Sequence, residues 1–163
     1  MPRVRKANYD DTAAITRLLA DLGYPGADAF IDQRLQQLMS HGDACLLVAE
    51  GDGGQVLGFI SLHFIVQLAL AGDFCRISYL CVDSAARGLG VGALLEQAAE
   101  ARARARGCDR MELHCDTRRE NAHRFYARLG YEDAPKYFRR SLNCSARLAV
   151  PVRCAPLALL FFA

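Results

Sequence analysis

The stretch Ala86–Gly92, "ARGLGVG", sets Gly88, Gly90 and Gly92 directly after Arg87 and directly before an apolar, alanine-rich run. Glycines this dense let backbone lie against a ligand, most often a phosphate. Three phosphate-binding designs compete for the stretch. A P-loop needs G-x-x-x-x-G-K-[ST], and no lysine or hydroxyl follows here, which excludes it. The dinucleotide fingerprint G-x-G-x-x-G/A is met by Gly88, Gly90 and Ala93, with Asp116 closing the next strand. That fingerprint belongs at a strand end, whereas "DSAAR" (83–87) intervenes after Val82. Only one strand–helix–strand crossover is visible, and the doubly wound fold needs several. The third design is a loop that opens a long helix. Its free N–H groups converge on an anion, and the helix dipole adds partial positive charge.

Working outward, Val4 begins a short alternating segment, read as a strand at about 3–7. Asp10 or Asp11 can cap a helix at about 11–22 with Ala14, Ile15, Leu18, Leu19 and Leu22 inward and Gly23 as its stop. "ADAFIDQRLQQLMSHG" (27–42) predicts a second amphipathic helix with Phe30, Ile31, Leu35 and Leu38 inward. "ACLLVAEGDGGQVLGFISLHFIV" (44–66) predicts an antiparallel hairpin turned by "GDGG". "DFCRISYLCVD" (73–83) is a further strand, and "VGALLEQAAEARARARG" (91–107) a strong helix ended by Gly107. "RMELHCD" (110–116), "RRENAHRFYARLG" (118–130) and "KYFRRSL" (136–142) read as strand, helix and final strand. The order is a mixed α/β layer without repeat or linker, hence one domain over 1–142, with an apolar extension over 143–163.

The chain has 163 residues, about half of them apolar, and a formal net charge of +2, as expected of one globular domain with a real core. That charge is too small to argue for nucleic acid. Eight arginines between Arg102 and Arg128 are the exception, forming either a solvated helix face or an anion-facing surface. The interleaved aromatics of a stacking surface for nucleic acid are missing. Seven cysteines show no CxxC pair and no metal spacing, so no metal is expected, and buried free thiols in a reducing compartment explain them. The N-terminal "MPRVRKANYDD" has no signal-peptide core, and the expected location is the cytoplasm. The closing "PLALLFFA" (156–163) is too short to span a bilayer, and Pro151, Arg153 and Pro156 interrupt the longer segment that it ends. It is read as a terminal strand or as a segment packed on a partner, for instance in a homodimer, and not as a membrane anchor.

Leu80-Cys81-Val82 closing a strand, then Arg87-Gly88-Leu89-Gly90-Val91-Gly92 opening a helix, resembles the acetyl-CoA site of the GNAT superfamily of N-acyltransferases. The element order from Arg3 to Leu142 and the stretch "AHRFYARLGYE" (122–132) are similar to that superfamily as well. "SLHFIV" (61–66) together with "AHRFY" resembles its small-amine members, such as the aminoalkylphosphonate N-acetyltransferases. The resemblance implies a mostly antiparallel mixed sheet flanked by helices, with a splayed parallel strand pair holding the cofactor. Leu80–Val82 and Met111–Cys115 match the two splayed strands, with a backbone N–H near Val82 as oxyanion donor. It implies acetyl transfer from acetyl-CoA to a primary amine of a small molecule, by direct attack, with Tyr126 as the general acid for the departing thiolate. A non-catalytic CoA-binding module of the same fold is the alternative. Two departures stand out. Arg119 fills a position where the family often has asparagine, with Asn121 nearby, so either could meet the cofactor. The strand 73–83 lacks the family's frequent glutamate, which leaves the base open between His63, His114 and water. Cys81 and Cys115, buried strand thiols without a paired histidine, are not expected to act as nucleophiles.

Overall fold

In a computed structural model, residues 1–134 are described, and the expected strand 136–142 and extension 143–163 lie outside the described residues. Met1–Glu132 forms one compact unit that carries every element below. The elements are β1 (Arg3–Lys6), α1 (Thr12–Leu22), α2 (Ile31–Ser40), β2 (Ala44–Glu50), β3 (Val56–Ile65), β4 (Asp73–Val82), α3 (Val91–Ala105), β5 (Cys108–Leu113) and α4 (Glu120–Arg128). The strands form one sheet in the order β1-β2-β3-β4-β5. Neighbours are antiparallel except β4 and β5, which run parallel and are joined by α3.

Alternation along the strands gives the sheet two apolar faces. Leu47, Ala49, Ile60 and Leu62 face α3 and pack on Val91, Leu95, Ala99 and Ala103. Leu46, Val48 and Phe59 face the other way and meet Ile15 and Leu18 of α1 with Ile31 and Leu35 of α2. Strand β4 breaks this rule informatively. Ile77 belongs to the α3 face and Cys81 to the α1/α2 face, although four residues apart they would share a face in a regular strand. The cause is a register shift: Ser61 pairs with Tyr79, but Leu62 pairs with Ile77, which leaves Ser78 as an extra residue in a bulge.

Two local expectations need correction. Asp11 holds the N-cap position of α1, as expected, but its side chain makes no capping hydrogen bond there; Asn8 caps a short 3₁₀ turn that precedes α1, its side chain accepting from Asp10 N. Asp11 instead accepts from Asn8 N at 2.8 Å and from both terminal nitrogens of Arg5 at 2.7 and 2.8 Å. Arg5 also donates to Glu50, so this hub ties β1 to β2 and to the start of α1. The second helix starts only at Ile31, after a 3₁₀ turn over Ala27–Ala29, and Phe30 at that junction is exposed rather than inward. The "GDGG" turn behaves as read, with Gly54 N donating to Gly51 O and Gly51 N to Gln55 O, both at 2.9 Å.

Candidate active site

Pairing between β4 and β5 runs from Asp73↔Cys108 to Ile77↔Leu113 and stops there. Beyond the Ser78 bulge, β4 continues to Val82 with only β3 beside it. Asp83 N donates to Leu57 O at 2.8 Å, and Cys81 lies opposite Phe59. In an antiparallel ladder N–H groups alternate between the two sides, so those of Leu80 and Val82 point away from β3, into the gap that β5 has left. A cavity of about 1010 Å³ opens there.

The glycine turn lies at one end of this cavity. Gly88 and Gly90 have φ of 80° and 79°, the left-handed region that favours glycine, and a Cβ on either would meet no atom within 4 Å. Their absent side chains therefore leave room for a ligand as well as permitting the turn. Gly90 is the N-cap of α3, and Leu94 N donates to Gly90 O at 3.0 Å, so the preceding amides of that first turn have no intrahelical partner. A Cβ on Gly92 would lie 3.3 Å from the ring of Phe125. This small residue thus lets α4 close on the start of α3.

Leu80, Cys81, Val82, Arg87, Gly88, Gly90, Val91, Gly92, Arg119, Asn121 and Tyr126 all border the cavity. Leu89 is not among the bordering residues and is 71% exposed. Cys81 contributes backbone only, since its buried thiol donates to Leu18 O at 3.1 Å, and burial pushes its pKa up. Of the strand expected at Met111–Cys115, the part to Leu113 is still paired to β4, and only Leu113, His114 and Cys115 reach the cavity. Burial also raises the Cys115 thiol, so neither cysteine is an activated nucleophile.

The arginine-rich region divides into two uses. Arg104 is bound to Glu100 and Arg106 to Asp43, and Arg110 to Glu112, all in surface ion pairs. The later ones, Arg118, Arg119, Arg124 and Arg128, line the cavity together with Arg87. Among the described residues Arg87 and Arg119 make no ion pair, whereas Arg118 is bound to Asp116 at 2.8 Å and Arg124 donates to Asn121 Oδ1 at 2.6 Å. The cavity is therefore strongly cationic, with the Arg87, Arg119 and Arg128 guanidinium groups unpaired among the described residues.

Tyr126 reaches the cavity from α4. Burial, and then the neighbouring Cys115 and Glu96, push its pKa up to about 12, against the opposing effect of Arg119. Its hydroxyl is therefore protonated at neutral pH and has no hydrogen-bond partner among the described residues. The ring stands edge-on to Phe125 at 5.1 Å and to Tyr131 at 5.4 Å. Tyr131 in turn donates to the buried Glu96 at 2.9 Å, which fixes that ring stack against α3. Glu96, Phe125 and Ser78 escaped sequence reasoning, and Tyr24 meets Tyr79 edge-on at 5.5 Å where both border the cavity. Glu96 in the run "ALLEQAA" offered no signal, because its burial depends on Tyr131, 35 residues further on.

A glycine turn at a helix N-terminus, set beside a parallel strand pair that parts at a bulge, defines a class, and comparison with known proteins agrees. Residues 12–131 match the Acetyltransferase (GNAT) family, and the chain belongs to that family. It is 33% identical over 141 residues to the aminoalkylphosphonate N-acetyltransferase of Salmonella typhimurium, covering 85% of this chain and 90% of that one. Among solved structures, the fold is shared with a transcriptional regulator from Bacillus halodurans (TM-score 0.80, 24% identity, 87% and 100% of the chains covered). It is also shared with the glucosamine-6-phosphate N-acetyltransferase of Arabidopsis thaliana (TM-score 0.76, 21% identity, 88% and 99% covered). Among the described residues no helix is long and apolar enough to cross a membrane, and no cluster of metal-ligating side chains occurs.

Proposed function

We propose that the protein transfers an acetyl group from acetyl-CoA to the primary amine of a small molecule, with both substrates bound together. The carrying observation is the open edge of β4, which runs from the bulge at Ser78 to Val82 and ends beside the glycine turn. An extended chain bearing a diphosphate at one end suits that shape. Leu80 and Val82 would pair with its amides as an added strand would, and the free amides of Gly90–Gly92 with Arg87 would hold the diphosphate. Acetyl-CoA, when bound, supplies an acyl group on a good thiol leaving group. With acetyl-CoA bound, the Val82 N–H would stabilise negative charge on the acyl oxygen, and the protonated Tyr126 hydroxyl would be the donor for the leaving sulfur.

The curated relative's acceptor class, an aminoalkylphosphonate, is the first acceptor to try, since its anionic end suits the cationic cavity. The five described cysteines carry no disulfide, in keeping with a reducing cytoplasm, where we place the reaction. The test is thiol release from acetyl-CoA across a panel of primary amines headed by a short aminoalkylphosphonate, alongside calorimetry of acetyl-CoA binding. Amine-dependent release is expected. Tight binding with only slow, amine-independent hydrolysis would instead leave a CoA-binding module.

A further inference from the structure

An ammonium group cannot attack a carbonyl, so the acceptor must first lose a proton. The single carboxylate of β4, Asp73, lies at the closed end, paired with Cys108. His114 borders the cavity, yet Arg76 Nη1 lies 3.2 Å from its Nδ1. A guanidinium can only donate, so Nδ1 turns its lone pair to Arg76 and the ring proton sits on Nε2. Burial and then the Arg76 charge hold its pKa down, and a second proton would set two cations side by side. His114 is built to stay neutral and to donate.

His63 is placed differently. Its Nδ1 lies 3.0 Å from Ser78 Oγ. Ser78 is the extra residue of the bulge, exposed, and borders the cavity where β5 departs. His63 is half-buried behind it on β3, so the hydroxyl stands between the imidazole and the cavity. Burial, and then His41 beyond α2, lower the His63 pKa from 6.5. Arg76 is its cross-strand partner on β4, Glu112 on β5 lies 3.2 Å from Arg76, and His114 lies beyond. An uncharged imidazole with a free lone pair is the form that accepts a proton.

We infer that Ser78 and His63 form a proton relay in which Ser78 touches the acceptor nitrogen and His63 is the base behind it. The inference rests on the acetyl-transfer reading above. The ammonium gives one proton to Ser78 Oγ as the Ser78 hydroxyl proton passes to His63 Nδ1. The freed nitrogen then bonds to the acetyl carbon, the carbon–sulfur bond breaks, and the sulfur takes the Tyr126 proton. The second nitrogen proton restores Tyr126 by way of water, and His63 releases the net single proton to solvent. The bulge thus supplies a cavity-facing hydroxyl at a point where an unbroken strand would have none.

The test measures kcat/KM for the first amine that supports turnover, from pH 6 to 10, in wild type, Ser78→Ala, His63→Gln and the double variant. Each single variant should lose on the order of 10²-fold at pH 7, with acetyl-CoA affinity by calorimetry unchanged. The double variant should lose no more than either, because the two act as a unit. Wild-type kcat/KM should reach a plateau above the His63 pKa. The variants should instead rise about tenfold per pH unit toward the amine's own pKa, near 10, since only amine that is already neutral can react. A structural role for the pair would move stability and leave the profile's shape alone. Activity within twofold of wild type with an unaltered profile in Ser78→Ala overturns the relay, and that exposed substitution decides the matter even if His63→Gln fails to fold. Wild type that releases no thiol with any amine overturns the transfer reading and the relay together, whereas active wild type matched by its variants overturns the relay alone.

Discussion

Strand β4 is two structures end to end. From Asp73 to Ile77 it is held on both sides, by β3 and by β5, and Cys75 and Ile77 are buried beneath α3. From Ser78 to Val82 it is held on one side only, and its other edge faces a cationic cavity. The first half is filled with apolar side chains, and the second is bounded by backbone N–H groups, glycines, arginines and Tyr126. The same strand therefore anchors the sheet and presents a binding edge, with a one-residue bulge dividing the two. Substitutions in the closed half should cost stability and spare binding, and those around the open half should do the reverse.

The sharpest way to break this contrast is at the glycine turn. Gly90→Glu should abolish measurable acetyl-CoA binding, because a carboxylate then occupies the place reserved for phosphate. The fold should survive, since a Cβ at Gly90 meets nothing within 4 Å and the positive φ costs roughly 1–2 kcal/mol. Gly90→Ala is the control: it carries the backbone strain without the charge and should retain binding. Wild-type affinity in folded Gly90→Glu, measured by calorimetry, would remove the phosphate from this turn.

Next in size is the chemistry. Tyr126→Phe should lower kcat by about 10²–10⁴-fold, toward the low end because a thiol with a pKa near 8.5 is a fair leaving group unaided. Stability should barely change, since the hydroxyl makes no hydrogen bond among the described residues and the ring contacts remain. A pKa of about 12 also means that raising the pH to 10 leaves the donor protonated. No loss of kcat from tyrosine ionisation is expected below that pH, and an alkaline limb near 9 that vanishes in Tyr126→Phe would contradict the buried, protonated hydroxyl.

The closed half should answer in the opposite way. Leu62 is fully buried and pairs with Ile77, the last residue of β4 before the bulge. Leu62→Ala should destabilise the protein by about 2–5 kcal/mol through lost transfer energy and a residual cavity. Acetyl-CoA affinity of the folded fraction should stay within about twofold. A large loss of affinity at temperatures where the variant is fully folded would show that the two halves are coupled.

How legible each half was in the sequence follows from the range of the forces that shape it. The glycine turn and the element order are local: caps, alternation and apolar periodicity predict β2, β3, α3 and the hairpin turn nearly residue for residue. Leu80–Val82 and Tyr126 were reached through resemblance and do meet at one cavity. The bulge at Ser78 was not legible, because "RISYL" alternates plausibly in either register and only pairing with β3 decides it. Phe30 failed for a related reason. Apolar character predicts burial, but a 3₁₀ junction leaves this residue exposed. The pairing of His63 with Ser78 spans two strands and no local pattern could announce it.

The smallest expected effect separates Arg119 from Asn121, the two residues at the start of α4 that could meet the cofactor. Both border the cavity. Asn121 already has its carbonyl oxygen committed to Arg124 Nη2 at 2.6 Å, which leaves mainly its amide N–H groups to offer. Arg119, the N-cap residue of α4, makes no ion pair among the described residues, and its positive charge acts on Cys81, Cys115 and Tyr126 alike. A guanidinium that influences three groups around one cavity is central to it. Arg119→Ala should weaken acetyl-CoA binding about tenfold, the scale of one charge-assisted hydrogen bond at a solvent-accessible site. That loss should shrink as salt is raised, because the contact is screened. Asn121→Ala should cost less than about threefold and show little salt dependence. Arg119 opposes the rise of the Tyr126 pKa, so removing it drives that pKa higher still and keeps the hydroxyl protonated. The donor is thus preserved, and kcat at saturating acetyl-CoA should stay within a few-fold of wild type. The reverse ranking by calorimetry, with Asn121→Ala the weaker binder, would move the cofactor contact one helical step along α4.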